Sequence, residues 1–274
     1  LADKKSIRNL KEAILKEYDR LGLDDSFTFS CHPGVSCFNQ CCSDVNIFLT
    51  PYDVLRLKRR LGIYSWEFLA EYTLTPLDKN LQYPVLLLKM RENEQKNCHF
   101  VEAGGCTVYS DRPWACRMYP LGLASPKAEG RGTETDFYFL LQEEVCHGFK
   151  EAKNKWTVRG WMENQGVPQY DEFGRLFKEL TLHPFLQSGK AFNPAKMEMF
   201  HMVCYNLDKF RGFLFNTSFF DRFEVEDELM KRLQEDDKEL LRFGFKWLKF
   251  SLYGEKTMTV KPDAVMKAVQ AKSD

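Results

Sequence analysis

The chain has no run of apolar residues near the ~18 needed to cross a bilayer. Its longest, Pro84 to Leu88 with its flanks, is the length of a strand. It also lacks a charge excess, with 39 Lys plus Arg against 39 Asp plus Glu. No overall field therefore recruits nucleic acid or an anionic membrane. Histidine is scarce, at five residues, and none falls in an HExxH or facial-triad arrangement. No Ser-His-Asp set, paired carboxylates, glycine-rich cofactor loop, internal repeat or low-complexity tract is legible, so no residue is nominated as catalytic. What remains is ordinary in bulk: 274 residues, 44% hydrophobic and 28% charged. That is enough chain for one large domain or two smaller ones with a real core.

Cysteine is where the chain departs from the ordinary. The stretch CHPGVSCFNQCC, Cys31 to Cys42, puts four cysteines into twelve residues of a chain that holds nine. The others are Cys98, Cys106, Cys116, Cys146 and Cys204. Clustered thiols in an odd total, with no leader in view, read as reduced metal ligands in a cytoplasmic protein rather than as a disulfide framework. Setting Cys204 aside as a core residue leaves Cys31, Cys37, Cys41, Cys42, Cys98, Cys106, Cys116 and Cys146. Eight thiolates would complete two tetrahedral sites or two cubane iron–sulfur clusters. Repeated C-x2-C zinc-finger spacing and ferredoxin spacing are both absent. Neighbouring side chains diverge in regular backbone, so Cys41 and Cys42 suit different irons of a cluster, or two metals, better than one ion. This favours an iron–sulfur cluster, of [4Fe-4S] type, over zinc. His32, His99 and His147 each follow a cysteine, and with eight thiolates in hand they are not needed as ligands. Arg112 and Arg117 bracket Cys116 and would stabilise the negative charge of a thiolate centre. The alternative is that both pair with surface carboxylates.

The expected fold class is α+β. A small cysteine-rich metal-binding domain with short strands and helices spans residues 1–150, and a mainly α-helical region spans 151–274. Ser6 to Leu21 has helical apolar spacing, and its opening LADKKSIRNLKEAIL reads as a charged amphipathic helix, not a signal peptide. The segment SDVNIFL reads as a strand. Thr50-Pro51-Tyr52-Asp53 signals a helix start, with a stop at Gly62, and a second start follows at Ser65. PVLLLKM reads as a strand. Ala103-Gly104-Gly105 predicts a hairpin turn whose arms carry Cys98 and Cys106 to one face. Ser125 to Thr135 reads as a loop or hairpin tip, and Phe137 to Val145 as a strand. TVRGWMEN, DEFGRLFKEL, AKMEMFHMVCYNL, VEDELMKRLQED and KELLRFGFKWLKFSLYG read as helices.

These motifs resemble the YkgJ-type cysteine-cluster proteins, whose domain is described by a CxxCxxCC signature and as zinc- or iron-chelating. The matching residues are Phe29 to Cys31, Cys37 to Cys42 and Leu49-Thr50-Pro51-Tyr52-Asp53. The second block is Cys98, Phe100, Cys106, Tyr109, Arg112-Pro113, Cys116-Arg117 and Tyr119-Pro120, and the last is Cys146-His147-Gly148. The first block is longer than the signature, with five residues between Cys31 and Cys37 and three before Cys41. The resemblance covers about residues 25–150. It implies bound zinc or iron; the adjacent cysteines and the eight-thiolate count point to a redox or group-transfer role with a protein or redox partner. A zinc-binding structural or interaction protein and a metal-handling accessory are the alternatives. The same signature occurs in flagellin lysine N-methylases, which makes an S-adenosylmethionine-dependent protein lysine methylase a minority reading.

Overall fold

The computed structural model describes residues 18–76, 81–124, 136–264 and 266. It is about 48% helix and 14% strand, with short strands mostly in the N-terminal half and helices dominating the C-terminal part, an α+β fold. Among the described residues no helix is long and apolar enough to cross a membrane. The chain divides into two compact units that interleave in sequence. The first comprises Leu1–Val45, Glu92–Thr107 and Trp114–Pro168; the second comprises Asn46–Arg91, Val108–Pro113 and Gln169–Asp274.

The first unit is closed by a pairing between its two ends. Strand Ser26–Thr28 runs antiparallel to Lys155–Thr157, with Phe27 opposite Trp156. The register continues as Phe29 N donates to Asn154 O at 3.0 Å and Ser30 N to Gly148 O at 3.0 Å. Alternation turns Phe27 inward between the exposed Ser26 and Thr28. Phe29 is buried and takes the centre of an aromatic cluster, its ring 5.5 Å from Trp161, 5.0 Å from Phe149 and 6.0 Å from Tyr119. Trp161 lies on helix Val158–Asn164, whose N-cap Thr157 accepts from Gly160 N. A second antiparallel pair, Leu121–Ala124 with Phe137–Leu140, completes the apolar floor. The expected strand from Phe137 to Val145 ends at Leu140 because its partner offers only four residues.

The expected helix Ser6 to Leu21 lies, up to residue 17, outside the described residues, as does the expected loop Ser125 to Thr135. Its last residues are not helical. Leu21 exchanges backbone hydrogen bonds with Tyr138 at 2.8 and 3.0 Å, which commits it to an extended conformation.

In the second unit, helix Pro51–Leu61 starts at Thr50 with a reciprocal capping box to Asp53 and stops at Gly62, φ 68°. Helix Ser65–Tyr72 follows, as its start signal predicts. A three-stranded sheet orders Phe48–Leu49, Leu86–Leu88 and Thr73–Leu74 side by side. The helices Pro194–Tyr205, Leu207–Phe215, Asp227–Glu235 and Asp237–Leu248 supply most of the remainder. The segment expected as one helix through Leu207 is two, because the Asn206 side chain accepts from Lys209 N and starts a second helix there. Gly244 is required by packing, since a Cβ there would lie 2.6 Å from Val203 Cγ1. Lys58, almost fully buried, bridges Asp208 and Asp237 at 3.1 Å each.

A glycine anchors the cysteine-bearing unit. A Cβ at Gly148 would sit 2.5 Å from Phe29 Cε2 and 2.7 Å from Ser30 O, so only a bare backbone lets the two ends meet. Gly148→Ala is expected to cost about 1–3 kcal/mol by overpacking, read as a lower midpoint in denaturant unfolding followed by tryptophan fluorescence.

Candidate metal centre

All eight cysteines nominated from the sequence fall within the segments of the first unit, and Cys204 falls in the second. Among the described residues none of the nine cysteines is joined in a disulfide. Cys204 is fully buried on helix Pro194–Tyr205, where burial pushes its thiol well above the ordinary value. It is a core residue, as expected.

The Cys31 to Cys42 run has no long regular element. It folds as successive tight turns: Val35 N to His32 O, Phe38 N to Val35 O, Gln40 N to Cys37 O and Cys42 N to Asn39 O, at 2.9 to 3.1 Å. Pro33 and Gly34 break any longer helix at its start. Asn39 takes the left-handed conformation, φ 70°, which asparagine tolerates, and leads into the 3-10 turn Gln40–Cys42. Its amide also donates to Glu102 O at 2.9 Å, tying the run to the second cysteine block.

That block forms the expected hairpin, with Val101 opposite Cys106 and Glu102 opposite Gly105, φ 119° at Gly105. Its register differs from the expected one. Cys98 is not on the strand arm but in the turn before it, where Val101 N donates to Cys98 O at 3.2 Å. Shared strand parity therefore does not bring Cys98 and Cys106 to one face. Cys98 is placed by the first run instead, its N–H donating to Cys42 O at 2.8 Å beside the Ser43–Asn97 bridge. Cys116 lies on the short helix Trp114–Met118 and is exposed. Cys146 is buried, and so is Cys37, whose Sγ accepts the His147 N–H at 3.1 Å.

The Cys41, Cys98 and Cys116 sulfurs each act electrostatically on Cys42. The Cys41 and Cys42 thiols share a hydrogen bond, which corrects the expectation that adjacent side chains diverge; the tight 3-10 turn is not regular backbone. The Cys42 thiol donates and lowers Cys41 to about 7, against burial and Glu143. Cys42 is driven upward by that same bond, by burial and by the Cys41, Cys116 and Cys98 sulfurs.

The other expected neighbours bind backbone. Arg112, buried in the second unit, donates to Tyr109 O at 2.6 Å with its guanidinium 3.7 Å from the centre of the Tyr109 ring. Arg117, buried in the first, donates to Gln165 O at 2.6 Å. His32 Nδ1 accepts from Gly34 N at 3.1 Å, a local turn bond.

Two features escaped sequence reasoning. Ser36, His147 and Glu151 form a clasp: Ser36 N donates to Glu151 Oε2 at 3.0 Å, Ser36 Oγ donates to Glu151 Oε1, and Ser36 Oγ lies 2.7 Å from His147 Nδ1. The Ser36 hydroxyl and N–H hold the Glu151 carboxyl below its usual range. The clasp joins residues 115 positions apart, and no local motif announces it. The second is Tyr119. Its hydroxyl is buried without a hydrogen bond of normal geometry, and the nearby Cys146 sulfur acts on it. Burial first, then Cys146, pushes the phenol well above its ordinary value, so it stays an O–H.

With this geometry in place, the comparison with known proteins is specific. Residues 30–151 match the CxxCxxCC family. The family is described as "Putative zinc- or iron-chelating domain", and the match spans under half of the chain. It takes in all eight clustered cysteines and leaves Cys204 outside. No curated protein matches, and no solved structure does. The segment is thus supported as a metal-binding cysteine cluster, with the family's description covering zinc and iron alike.

The donor set fits such a metal in chemistry: soft sulfur ligands on one unit, with three sulfurs acting on a fourth. Among the described residues, no three His, Cys, Asp or Glu side chains are already arranged to hold an ion. Metal binding would have to draw the sulfurs together and displace their protons.

Because its folded-state value is depressed, Cys41 contributes stability above the ordinary thiol value, and this contribution fades as pH falls through about 7. In metal-free protein, iodoacetamide labelling of Cys41 should rise through about pH 7, earlier than the ~8.5 of an ordinary thiol. Cys42→Ala should return it toward that value, as read by peptide mass mapping.

Proposed function

We propose that the first unit carries an iron–sulfur centre of [4Fe-4S] type and serves a redox or group-transfer role. Its ligands are drawn from Cys31, Cys37, Cys41, Cys42, Cys98, Cys106, Cys116 and Cys146. The observation that carries this reading is the gathering of eight thiols in one unit, twice what a single four-thiolate ion takes. When bound, such a centre supplies a one-electron couple set by cluster type, hydrogen bonds to sulfur and solvent exposure. The chain's own groups bear on two of these. The His147 N–H donates to the Cys37 sulfur and withdraws charge from it, and the Phe29, Met118 and Trp161 floor keeps water from the buried side. The exposed Cys31 and Cys116 leave the other side open to a protein or redox partner.

One observation favours zinc as the second reading. In the 3-10 turn Gln40–Cys42 the Cys41 and Cys42 thiols interact with each other, so the geometric argument against both binding one ion loses its force. In that reading four thiolates fold the unit, contributing on the order of 10 kcal/mol, and the helical half meets a partner.

Purification without oxygen, with iron, zinc and acid-labile sulfide measured on the same sample as the visible spectrum, separates the two. The expected result is a brown protein with iron and sulfide in equal amounts. A colourless protein with stoichiometric zinc would replace the first reading by the second. Cys42→Ser and Cys116→Ser should each lower metal content, whichever metal is found.

A further inference from the structure

Two sets of hydrogen bonds sort the clustered cysteines into pairs, and both lie within the first unit. The first set joins the dipeptides Ser36-Cys37 and Cys146-His147. The His147 N–H donates to Cys37 Sγ at 3.1 Å. Beside it, Ser36 Oγ lies 2.7 Å from His147 Nδ1, and Ser36 N donates to Glu151 Oε2 at 3.0 Å. Glu151 reaches this point because its own N–H donates to His147 O at 2.9 Å, a turn that folds the carboxylate back. About four covalent bonds, spanning roughly 5 Å at most, separate His147 N from the Cys146 sulfur, so the two sulfurs lie within about 8 Å of each other. Both cysteines are buried, and Cys146 belongs to the apolar floor with Phe29, Met118 and Trp161.

The second set is an antiparallel bridge between Ser43 and Asn97, flanked by Asp44 N donating to Lys96 O at 3.0 Å and Cys98 N to Cys42 O at 2.8 Å. That register sets Cys42 opposite Cys98, and opposed residues of an antiparallel pair project to the same side. Ser43 Oγ donates to Asn97 Oδ1 at 2.7 Å, filling the other side. Cys42 and Cys98 are only partly buried, unlike the first pair. We infer that the cysteines serve two separate centres, Cys37 and Cys146 sharing a buried one and Cys42 and Cys98 a more open one, with Ser36 and Glu151 as positioning residues for the first. Eight thiolates are the complement of two four-thiolate centres. An N–H aimed at one sulfur, and a clasp behind both ligand-bearing segments, set the separation of Cys37 and Cys146 before metal arrives, so binding has less order to impose. This inference rests on the reading of the clustered cysteines as metal ligands.

Cadmium-113 is the probe, added to the whole chain under reducing conditions and followed by nuclear magnetic resonance. Each bound ion gives its own resonance, and coupling through sulfur to the cysteine Hβ protons identifies which cysteines share that ion. The expected spectrum correlates Cys37 and Cys146 with one resonance and Cys42 and Cys98 with another. Ser36→Ala and Glu151→Ala should each weaken cadmium binding at the first centre about 10- to 100-fold, with the second resonance and its affinity unchanged. Ser36→Thr, which keeps the hydroxyl, should restore the first. If the alanine variants do not fold, the wild-type correlations decide the pairing by themselves. Cadmium uptake with any other grouping of these four cysteines would overturn the inference and leave the metal reading standing. Equal weakening of both centres by the alanine variants, or of neither, would overturn the positioning role of the clasp. Failure of the wild type to take up cadmium, zinc or iron would overturn the inference and the metal reading together.

Discussion

Antiparallel pairing of Ser26–Thr28 with Lys155–Thr157 is the constraint on which the cysteine-bearing unit depends. It runs on through Phe29 to Asn154 and Ser30 to Gly148, so the residue before Cys31 is fixed beside the glycine that follows Cys146-His147. Without that closure the first cysteine run and Cys146 would be ends of a long loop, and gathering their sulfurs would require the closure entropy to be met by metal alone. The pairing is short, and it holds because it is backed by Phe27, Phe29 and Trp161 rather than by hydrogen bonds alone. Gly148 is the point where the two ends touch, and the absence of a side chain there is a requirement of contact, not of dihedral freedom.

Within that frame the cysteine segments are tied together through backbone hydrogen bonds. Cys98 hangs from Cys42 O, Cys37 receives the His147 N–H, and Asn39 reaches Glu102 O. The Ser36–Glu151–His147 clasp ties the first cysteine run to the segment that follows Cys146. Such a scaffold can bring soft donors near each other and still leave the last adjustment to the metal, consistent with sulfurs that interact electrostatically without already outlining an ion. The second unit has a different logic. Its buried Lys58 and partly buried Arg211 each pair with both Asp208 and Asp237, and its aromatic residues pack on one another.

Much of this was legible from residues alone where the signal is local. The helix at Pro51 follows from Thr50, Pro51, Asp53 and Gly62, each of which acts within one turn. The hairpin at Ala103–Gly104 follows from its glycines. The family's second block announces itself through the unusual spacing around Cys116, and Cys204 was readable as core because one apolar-flanked cysteine on a helix has no neighbour to bind with. Where reading failed, a non-local or irregular feature prevailed. Strand parity misplaced Cys98 because a turn, not a strand, carries it. The rule that adjacent side chains diverge did not hold at Cys41–Cys42, since a 3-10 turn lets the two sulfurs meet. The last residues of the helix predicted to end at Leu21 are extended, because Leu21 bridges to Tyr138, a partner more than a hundred residues away in the chain.

By itself, then, the sequence marked out the chemistry: soft sulfur donors, with eight of the nine cysteines clustered apart from Cys204. Residue type and spacing carry that information because ligand softness is a property of the side chain and needs no fold. Only the tertiary structure decided which sulfurs act on Cys42 and which backbone groups hold the cysteine segments. Those outcomes come from hydrogen bonds between residues 42 and 98, 37 and 147, and 36 and 151. Pairings at such separations depend on closure of the whole unit, and no local pattern encodes them.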